Sequence, residues 1–149
     1  MKSILLILLL SFKTYAQITF QIIGPCDSTP LIREKIPFSQ KVSTVGDSTI
    51  FFLKKYNIAY NGAKEGIRSI EGIPTSEQEL IIISNEEMLA YGWCYSVNGR
   101  SPEVYPHKFD LSEGDEVEWY FAFSRYLKGK WISQCKPSYL EPRKEFCPQ

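Results

Sequence analysis

The strongest structural signal in the chain is the stretch Glu116-Val117-Glu118-Trp119-Tyr120-Phe121-Ala122-Phe123. Acidic and large apolar residues alternate in it, which is the pattern of a β-strand with one buried face. Four large side chains then share the inner face: Val117, Trp119, Phe121 and Phe123. The tight turn of residues 111–115 leads directly into this strand. We therefore predict a strand that contributes four large side chains to one core.

Working outward from this strand, the preceding stretch Gly92-Trp93-Cys94-Tyr95-Ser96-Val97-Asn98-Gly99 predicts a second strand that ends in a turn at Asn98-Gly99. Alternation places Trp93, Tyr95 and Val97 on one face and Cys94 with Ser96 on the other. Four shorter runs predict further strands, at residues 18–23, 36–42, 66–74 and 80–83.

A helix is predicted within Val45–Tyr56, where Asp47 or Ser48 can cap the start and two lysines near the end favour the helix dipole. Its apolar positions Ile50, Leu53 and Tyr56, flanked by Phe52, face the core. The β-branched and aromatic content of the same run also allows a strand, and this alternative stays open. One helix among several strands predicts an α+β fold with a mainly antiparallel or mixed sheet.

The first 16 residues read as a signal peptide: Lys2, a short apolar run, and small residues up to Ala16. The apolar run is roughly half of the ~20 residues that a membrane span needs, so no span is expected in the mature chain. No cysteine stands at the cleavage point. The mature protein is therefore expected to be secreted or periplasmic.

Charge and size limit the function further. Cleavage removes two lysines, so 17 basic residues become 15 beside 17 acidic ones. This near-neutral balance lacks the basic excess with which nucleic-acid-binding proteins neutralise phosphates, so no nucleic-acid partner is expected. The remaining length fits one compact domain, and aromatic residues at 14% supply ample large side chains for one core.

All four cysteines, Cys26, Cys94, Cys135 and Cys147, lie after the predicted cleavage site. Exported proteins meet oxidising surroundings, so two disulfides are expected. Close Cys-x-x-Cys pairs are absent, which argues against a metal site. The sequence does not choose among the three connectivities; a Cys135–Cys147 pair would close a short loop worth about 3 kcal/mol.

Beyond Ser124 the strand pattern fades into a segment with three prolines, which we predict to be a C-terminal tail pinned by Cys135 and Cys147. The predicted organisation is thus a signal peptide at 1–16, a domain at 17–123 and a C-terminal extension at 124–149.

Several of these stretches, taken together, resemble the transcobalamin-like C-terminal domain family over roughly residues 18 to 123. The resemblance is carried by Gly46-Asp47-Ser48-Thr49 leading into Leu53-Lys54, by Ile70-Glu71-Gly72-Ile73, by the 92–99 stretch, and by Glu113-Gly114-Asp115-Glu116-Val117-Glu118-Trp119. The last two are specific as a pair.

The resemblance implies a β-grasp-like mixed sheet wrapped on one short helix, as found in exported and surface proteins of bacteria and in animal vitamin carriers. In those carriers a corrinoid lies between this domain and a separate helical barrel. This chain has no room for that barrel, so cobalamin binding is implied by analogy alone. The residues after Phe123 are expected to be an addition of this chain.

Catalytic signatures are weak. Cys94 with His107 makes a conceivable nucleophile–base pair, but Cys94 is more simply half of a disulfide. Glu116 and Glu118 project from the same strand face about 7 Å apart, a separation that inverting glycosidases also use. Alternating acids opposite an apolar face are nevertheless what any half-exposed strand shows. We therefore expect no enzyme, no metal and no cofactor.

Aromatic residues cluster in the second half of the chain, and tyrosine and tryptophan are favoured where a polar-edged flat surface meets a partner. Most of them must be core, and Tyr120, Tyr126 and Trp131 are expected to be more exposed than Trp93. The candidate ligand-binding residues are Tyr95, Asn98, Tyr120, Tyr126 and Trp131.

Two functions follow. The first is an exported, non-enzymatic binding module for a small hydrophobic or corrinoid ligand, which predicts a concave aromatic patch. The alternative is a protein–protein interaction module or inhibitor that acts through the C-terminal extension. This alternative predicts that a chain lacking the residues after Ser124 stays folded but no longer binds its partner.

Overall fold

The computed structural model describes residues 16–147. The predicted signal peptide, apart from Ala16, lies outside the described residues, as do residues 148–149. About half of the chain is strand. The elements are β1 Gln17–Ile23, β2 Pro30–Pro37, α1 Val45–Lys55, β3 Tyr60–Ala63, β4 Gly66–Ile70, β5 Leu80–Ser84, β6 Glu87–Val97, β7 Glu116–Leu127 and β8 Lys130–Pro137, with short 3-10 helices at Pro106–Lys108 and Ser138–Leu140.

Six strands form one mixed sheet. Five of them follow one another in the order β2-β1-β7-β6-β5, and the sixth is β8. Strands β1 and β7 run parallel, whereas the other neighbours are antiparallel. Strand β8 pairs with the second half of β7, beyond the point where β1 ends. The sheet therefore has a proximal half, β2-β1-β7-β6, and a distal half, β8-β7-β6-β5. The predicted α+β class with a mixed sheet is confirmed.

The core lies on the face of the sheet that packs against α1, which we call the helix face. The predicted inner residues of β7 lie on this face, and Val117 and Trp119 join Tyr95 and Val97 of β6 there. The ring of Phe52 on α1 stacks on Phe20 of β1 at 4.2 Å between centroids. Cys94 and Tyr120 lie on the opposite face, which we call the outer face, as alternation along the two strands requires.

The helix begins earlier than its predicted caps. Thr44 is the N-cap, and its Oγ1 accepts a hydrogen bond of 3.0 Å from the Asp47 N–H. Asp47 lies at the third helical position, where its carboxylate accepts a bond from the same hydroxyl. The prediction of a helix is confirmed, and the choice of Asp47 or Ser48 as the cap is wrong, because Thr44 precedes them in the required extended conformation.

Two further predictions need correction. The strand predicted at residues 36–42 is wrong for most of its length, because β2 occupies Pro30–Pro37. This edge strand exposes Arg33, Glu34 and Lys35, so it shows little apolar alternation. The strand pattern was also expected to fade after Ser124, yet β7 continues to Leu127 and β8 follows.

The two disulfides join Cys26 to Cys147 and Cys94 to Cys135. The expectation of two disulfides is confirmed, and so is the pinning of the tail. The illustrative Cys135–Cys147 loop is wrong, because each tail cysteine is bonded to a distant part of the chain. At Cys135 the backbone of β8 is left-handed, with φ 49°, beside a register shift in its pairing with β7. Such a bulge re-aims a side chain, here toward Cys94.

Phe146 extends the core into the distal half. Its ring lies 4.7 Å from Tyr91 and 4.8 Å from Phe121 between centroids, and the side chain is only 6% exposed. Together with Leu89 and Phe123 these residues form a second buried cluster. The end of the chain therefore covers the helix face of the distal half, where α1 does not reach.

Candidate functional site

The predicted ligand-binding residues do not form one site. Tyr126 and Trp131 are brought together, with ring centroids 5.4 Å apart. Tyr95 lies on the helix face, and Tyr120 lies on the outer face. Asn98 is in the turn after β6, where its side chain donates to Asp115 and accepts from the Glu116 N–H. The five residues therefore belong to separate regions.

The expected exposure of Tyr120 is wrong. Its side chain is 6% exposed and packs against Ile23 and Ala122, and its hydroxyl shares a 2.8 Å hydrogen bond with Ser101. Burial raises the pKa of Tyr120. A buried and bonded hydroxyl of this kind supports the loop that contains Ser101.

A concave, largely apolar pocket lies beside the edge of β6. Its volume is about 260 Å³. We call it the edge pocket, and its lining includes Trp93, Tyr95, Pro102, Val104, Tyr105 and Trp119. Residues 65–67, Ser101 and the Cys94–Cys135 disulfide also line it. Tyr105 and Val104 form an exposed rim, with Tyr105 66% exposed. Tyr95 was predicted to be a ligand-binding residue, whereas Tyr105 was not.

The walls of the edge pocket are held by hydrogen bonds. The Trp93 indole donates to the Ile73 carbonyl at 2.7 Å, and the Tyr95 hydroxyl donates to the Val104 carbonyl at 2.6 Å. The Trp119 indole donates to Thr49 on α1 at 2.8 Å. Burial raises the pKa of Tyr95, so its hydroxyl stays a neutral donor. The pocket is thus preformed, and the hydroxyl of Tyr95 is already engaged.

The backbone of β6 supplies polar groups to the same pocket. The pairing of β6 with β5 ends where the Tyr91 N–H donates to Glu79, and the next bond on this edge joins Val97 to Arg100. Between them no strand of the described residues pairs with β6. Strand alternation therefore directs the N–H and C=O groups of Trp93 and Tyr95 toward this edge. Apolar walls with a few directed polar groups are typical of small-molecule sites.

A second feature lies on the outer face of the distal half. Four residues lie opposite one another across four adjacent strands, and we call them the apolar row: Ile82, Met88, Tyr126 and Trp131. Ile82 is 63% exposed and Trp131 47%. Beside the row β6 carries only Ala90 and Gly92, and a Cβ built on Gly92 would meet nothing within 4 Å. The row therefore borders a flat, open surface.

The catalytic candidates other than His107 are bonded to structural partners. Cys94 is bonded to Cys135, so it offers no thiol. The Glu116 carboxylate pairs with Arg33 at 3.0 Å, and the Glu118 carboxylate accepts from Gln21 at 2.5 Å. His107 lies in a 3-10 turn, stacked at 6.0 Å on Tyr105. Its Nδ1 is buried and has no hydrogen-bond partner among the described residues.

Within residues 16–147, no group of three or more His, Cys, Asp or Glu side chains is arranged to hold a metal ion. The same range contains no helix long and apolar enough to cross a membrane.

The fold and these surfaces define a disulfide-linked α+β domain that carries an aromatic pocket at a strand edge. The chain belongs to the family described as "Domain of unknown function (DUF4430)", whose model matches residues 44–122, more than half of the chain. The matched range contains α1, the apolar lining residues named for the edge pocket and residues 116–122 of β7.

Solved structures similar to this chain include a crystal structure of a "putative metal binding protein" from Ruminococcus gnavus, with 16% sequence identity and a TM-score of 0.44. The match covers 70% of this chain and 94% of that one. No curated protein sequence matches this chain.

Proposed function

We propose that this protein is an exported, non-enzymatic binding module that holds a small hydrophobic ligand, with corrinoids as the class to test first. The observation that carries the proposal is the edge pocket, which combines aromatic walls with unpaired backbone groups of Trp93 and Tyr95. The engagement of Cys94, Glu116 and Glu118 in structural contacts supports a function without catalysis.

The sheet supports the transcobalamin-like and β-grasp-like assignment, which we keep as part of the proposal. The parallel pair β1–β7 lies inside a mixed sheet. The helix α1 follows β2 in the chain and packs against one face of this sheet. The family model ends at residue 122, next to the proposed boundary between the domain at 17–123 and the extension at 124–149. The two disulfides support export through the proposed signal peptide at 1–16.

The size of the edge pocket limits how a ligand binds. A volume of about 260 Å³ is slightly below the ~300 Å³ at which sites for drug-sized ligands begin. A corrinoid is therefore expected to insert one edge and to lie across Tyr105 and Val104, which form the exposed rim. Apolar contact then supplies most of the affinity, and the backbone groups of β6 supply direction.

The test is substitution of the rim. We expect Tyr105→Ala to weaken binding of cyanocobalamin about 10-fold, because one aromatic contact with a ligand is worth about 1 kcal/mol or more. Titration calorimetry measures the affinity, and native mass spectrometry of the chain purified from a secretory host counts the bound molecules. Tyr105 is exposed, so the fold is expected to be unchanged in circular dichroism spectra.

Trp131→Ala is the matched control, because Trp131 is a similarly exposed aromatic residue on the apolar row. It is expected to leave cyanocobalamin affinity unchanged. Equal affinity of wild type and Tyr105→Ala would exclude the edge pocket as the corrinoid site. A further outcome is that cyanocobalamin fails to bind while a small molecule of fixed mass copurifies with wild type and is lost from Tyr105→Ala. This result would support the edge pocket as the binding site and replace the corrinoid with another ligand.

The apolar row favours a second candidate function, the capture of a protein partner. Trp131 lies in the extension, and aromatic residues in flat apolar patches are the usual centres of protein interfaces. Trp131→Ala is expected to weaken the binding of such a partner at least about 10-fold. Biolayer interferometry measures this affinity, with partners that were isolated by their binding to the wild-type chain. Tyr105→Ala serves as the control, and loss of binding in Tyr105→Ala but not in Trp131→Ala would contradict this candidate.

A further inference from the structure

Apart from the stretch of β6 at the edge pocket, the sheet has three free edges among the described residues, and they differ in how they are protected. Strand β2 carries Arg33 and Lys35 between prolines at both ends, and β8 begins with Lys130 and ends at Pro137. Charged residues and prolines are the usual means of preventing edge-to-edge pairing. Strand β5, with the sequence Leu80-Ile81-Ile82-Ile83-Ser84, contains neither. Its edge is therefore the one suited to pairing with another strand.

The bonding groups of β5 can be assigned from its pairing with β6. Because the Tyr91 N–H donates to the Glu79 carbonyl at 2.8 Å, the odd-numbered residues at this end of β5 bond inward to β6. Leu80 and Ile82 consequently direct their backbone N–H and C=O groups outward. The register shifts between Ile82 and Ser84, so this regular outward edge ends at Ile82.

The side chains along this edge are apolar and exposed. Leu80 is 48% exposed and Ile82 63%, and both lie on the outer face beside Met88 and Ala90. Ile81 lies on the other face and packs against the cluster that contains Phe146. Exposed aliphatic side chains next to unpaired backbone groups form a surface that gains stability when another apolar strand covers it.

We propose that β5 pairs antiparallel with β5 of a second copy of this chain, about a two-fold axis at Ile81. This register sets Leu80 of each copy against Ile82 of the other, with their outward N–H and C=O groups facing, so four backbone hydrogen bonds can form. The same surface on both copies is self-complementary, as a two-fold interface requires. The proposal does not depend on the ligand assigned to the edge pocket.

The charges near β5 fit a second copy. In this register Glu79 lies opposite Ile83 of the second copy, and Gln78 lies opposite its Ser84, so no carboxylate faces another. Glu79 is moreover held by its own Arg68 at 2.6 Å, and this contact holds the pKa of the Glu79 carboxyl below its ordinary value. On the outer face, Leu80 and Ile82 of both copies then form one apolar patch that joins the two apolar rows.

Light scattering coupled to size-exclusion chromatography tests the proposal on the chain as a secretory host processes it. We expect wild type to elute at twice the mass of one chain and Ile82→Lys to elute as a monomer, because two lysines would then meet the apolar edge. The dimer dissociation constant of Ile82→Lys, measured by sedimentation, should rise at least about 10-fold. Leu80→Lys gives an independent variant with the same expected result.

Ile132→Lys on the β8 edge and Trp131→Ala on the apolar row are the controls, and both are expected to remain dimers. Circular dichroism confirms that each variant is folded. A wild type that is monomeric at every concentration tested overturns the proposal. So does a dimer that survives both Ile82→Lys and Leu80→Lys, and so does a dimer lost in Trp131→Ala, which would indicate contact through the sheet face.

Discussion

A chain that ends at Ser124 is expected not to fold, although the sequence pattern had suggested that the remaining residues form a removable tail. Truncation removes Cys135 and Cys147, and with them both disulfides. Loss of a native disulfide from a small secreted domain typically costs about 2–5 kcal/mol. It also removes the ring of Phe146 from its cluster, and loss of a buried phenylalanine costs about 3–5 kcal/mol. Native domains are stable by only about 5–15 kcal/mol.

The measurement is near-ultraviolet circular dichroism and thermal unfolding of the secreted chain. The matched control ends at Cys147 and therefore lacks only the last two residues; it keeps both disulfides and is expected to unfold like wild type. A second control, Leu140→Ala, changes an exposed residue of the same segment and is expected to shift stability little. A cooperative unfolding transition in the chain ending at Ser124 would show that this segment is separable after all.

Removing the Cys26–Cys147 disulfide is the second large change, and the double variant Cys26→Ala, Cys147→Ala is expected to lose about 5 kcal/mol of unfolding free energy. The bond joins residues 121 apart in sequence, and the chain-entropy model gives about that value for a loop of this length in the unfolded state. Urea unfolding of the two proteins, analysed with a common slope, measures the difference.

The other disulfide supplies the comparison. Cys94 and Cys135 are separated by 41 residues, so their removal is expected to cost about 4 kcal/mol by the same reasoning. Both double variants lose two cysteines, so the difference between them reports which disulfide was removed. If loss of the Cys26–Cys147 bond costs less than about 1 kcal/mol, the contacts of Phe146 hold the end of the chain without it.

These two expectations change the interpretation of the C-terminal extension. The alternative function required a tail that could be deleted from a folded domain, whereas β8, both disulfides and Phe146 make the segment part of the fold. A partner that binds through Trp131 would therefore contact a rigid sheet face. Deletion cannot test that function, and single substitutions at the exposed Trp131 can.

Much of the local structure was predictable from particular residues. The alternation of Val117, Trp119, Phe121 and Phe123 placed them correctly on the buried face, because successive strand side chains point to opposite faces. Asn98-Gly99 was predicted as a turn, and both residues have positive φ, 51° and 74°. The helix was also predicted, although tertiary packing was needed to exclude the strand alternative.

The candidate site was less predictable. Tyr95 lines the edge pocket as part of a predicted site, but Tyr105 reaches it from a loop that turns back along β6. The exposure of Ile82 had no local signal either, since a run of four apolar residues is the same in a buried strand and at a sheet edge. Tyr120 was expected at the surface because its burial comes from Ile23 and Ala122 on neighbouring strands.

Local patterning alone thus determined the strand faces and, in a protein predicted to be exported, the presence of two disulfides, whereas the helix also needed tertiary packing to exclude a strand. Periodicity suffices for the strand faces because they depend on backbone geometry within one segment. The two disulfides were expected because four cysteines occur in an exported chain. The pairing of Cys26 with Cys147, the place of β8 beside β7 and the exposed edge of β5 depended on tertiary structure. Each of these depends on which distant segments of the chain become neighbours in the sheet. Residue spacing along the chain does not reveal those neighbours.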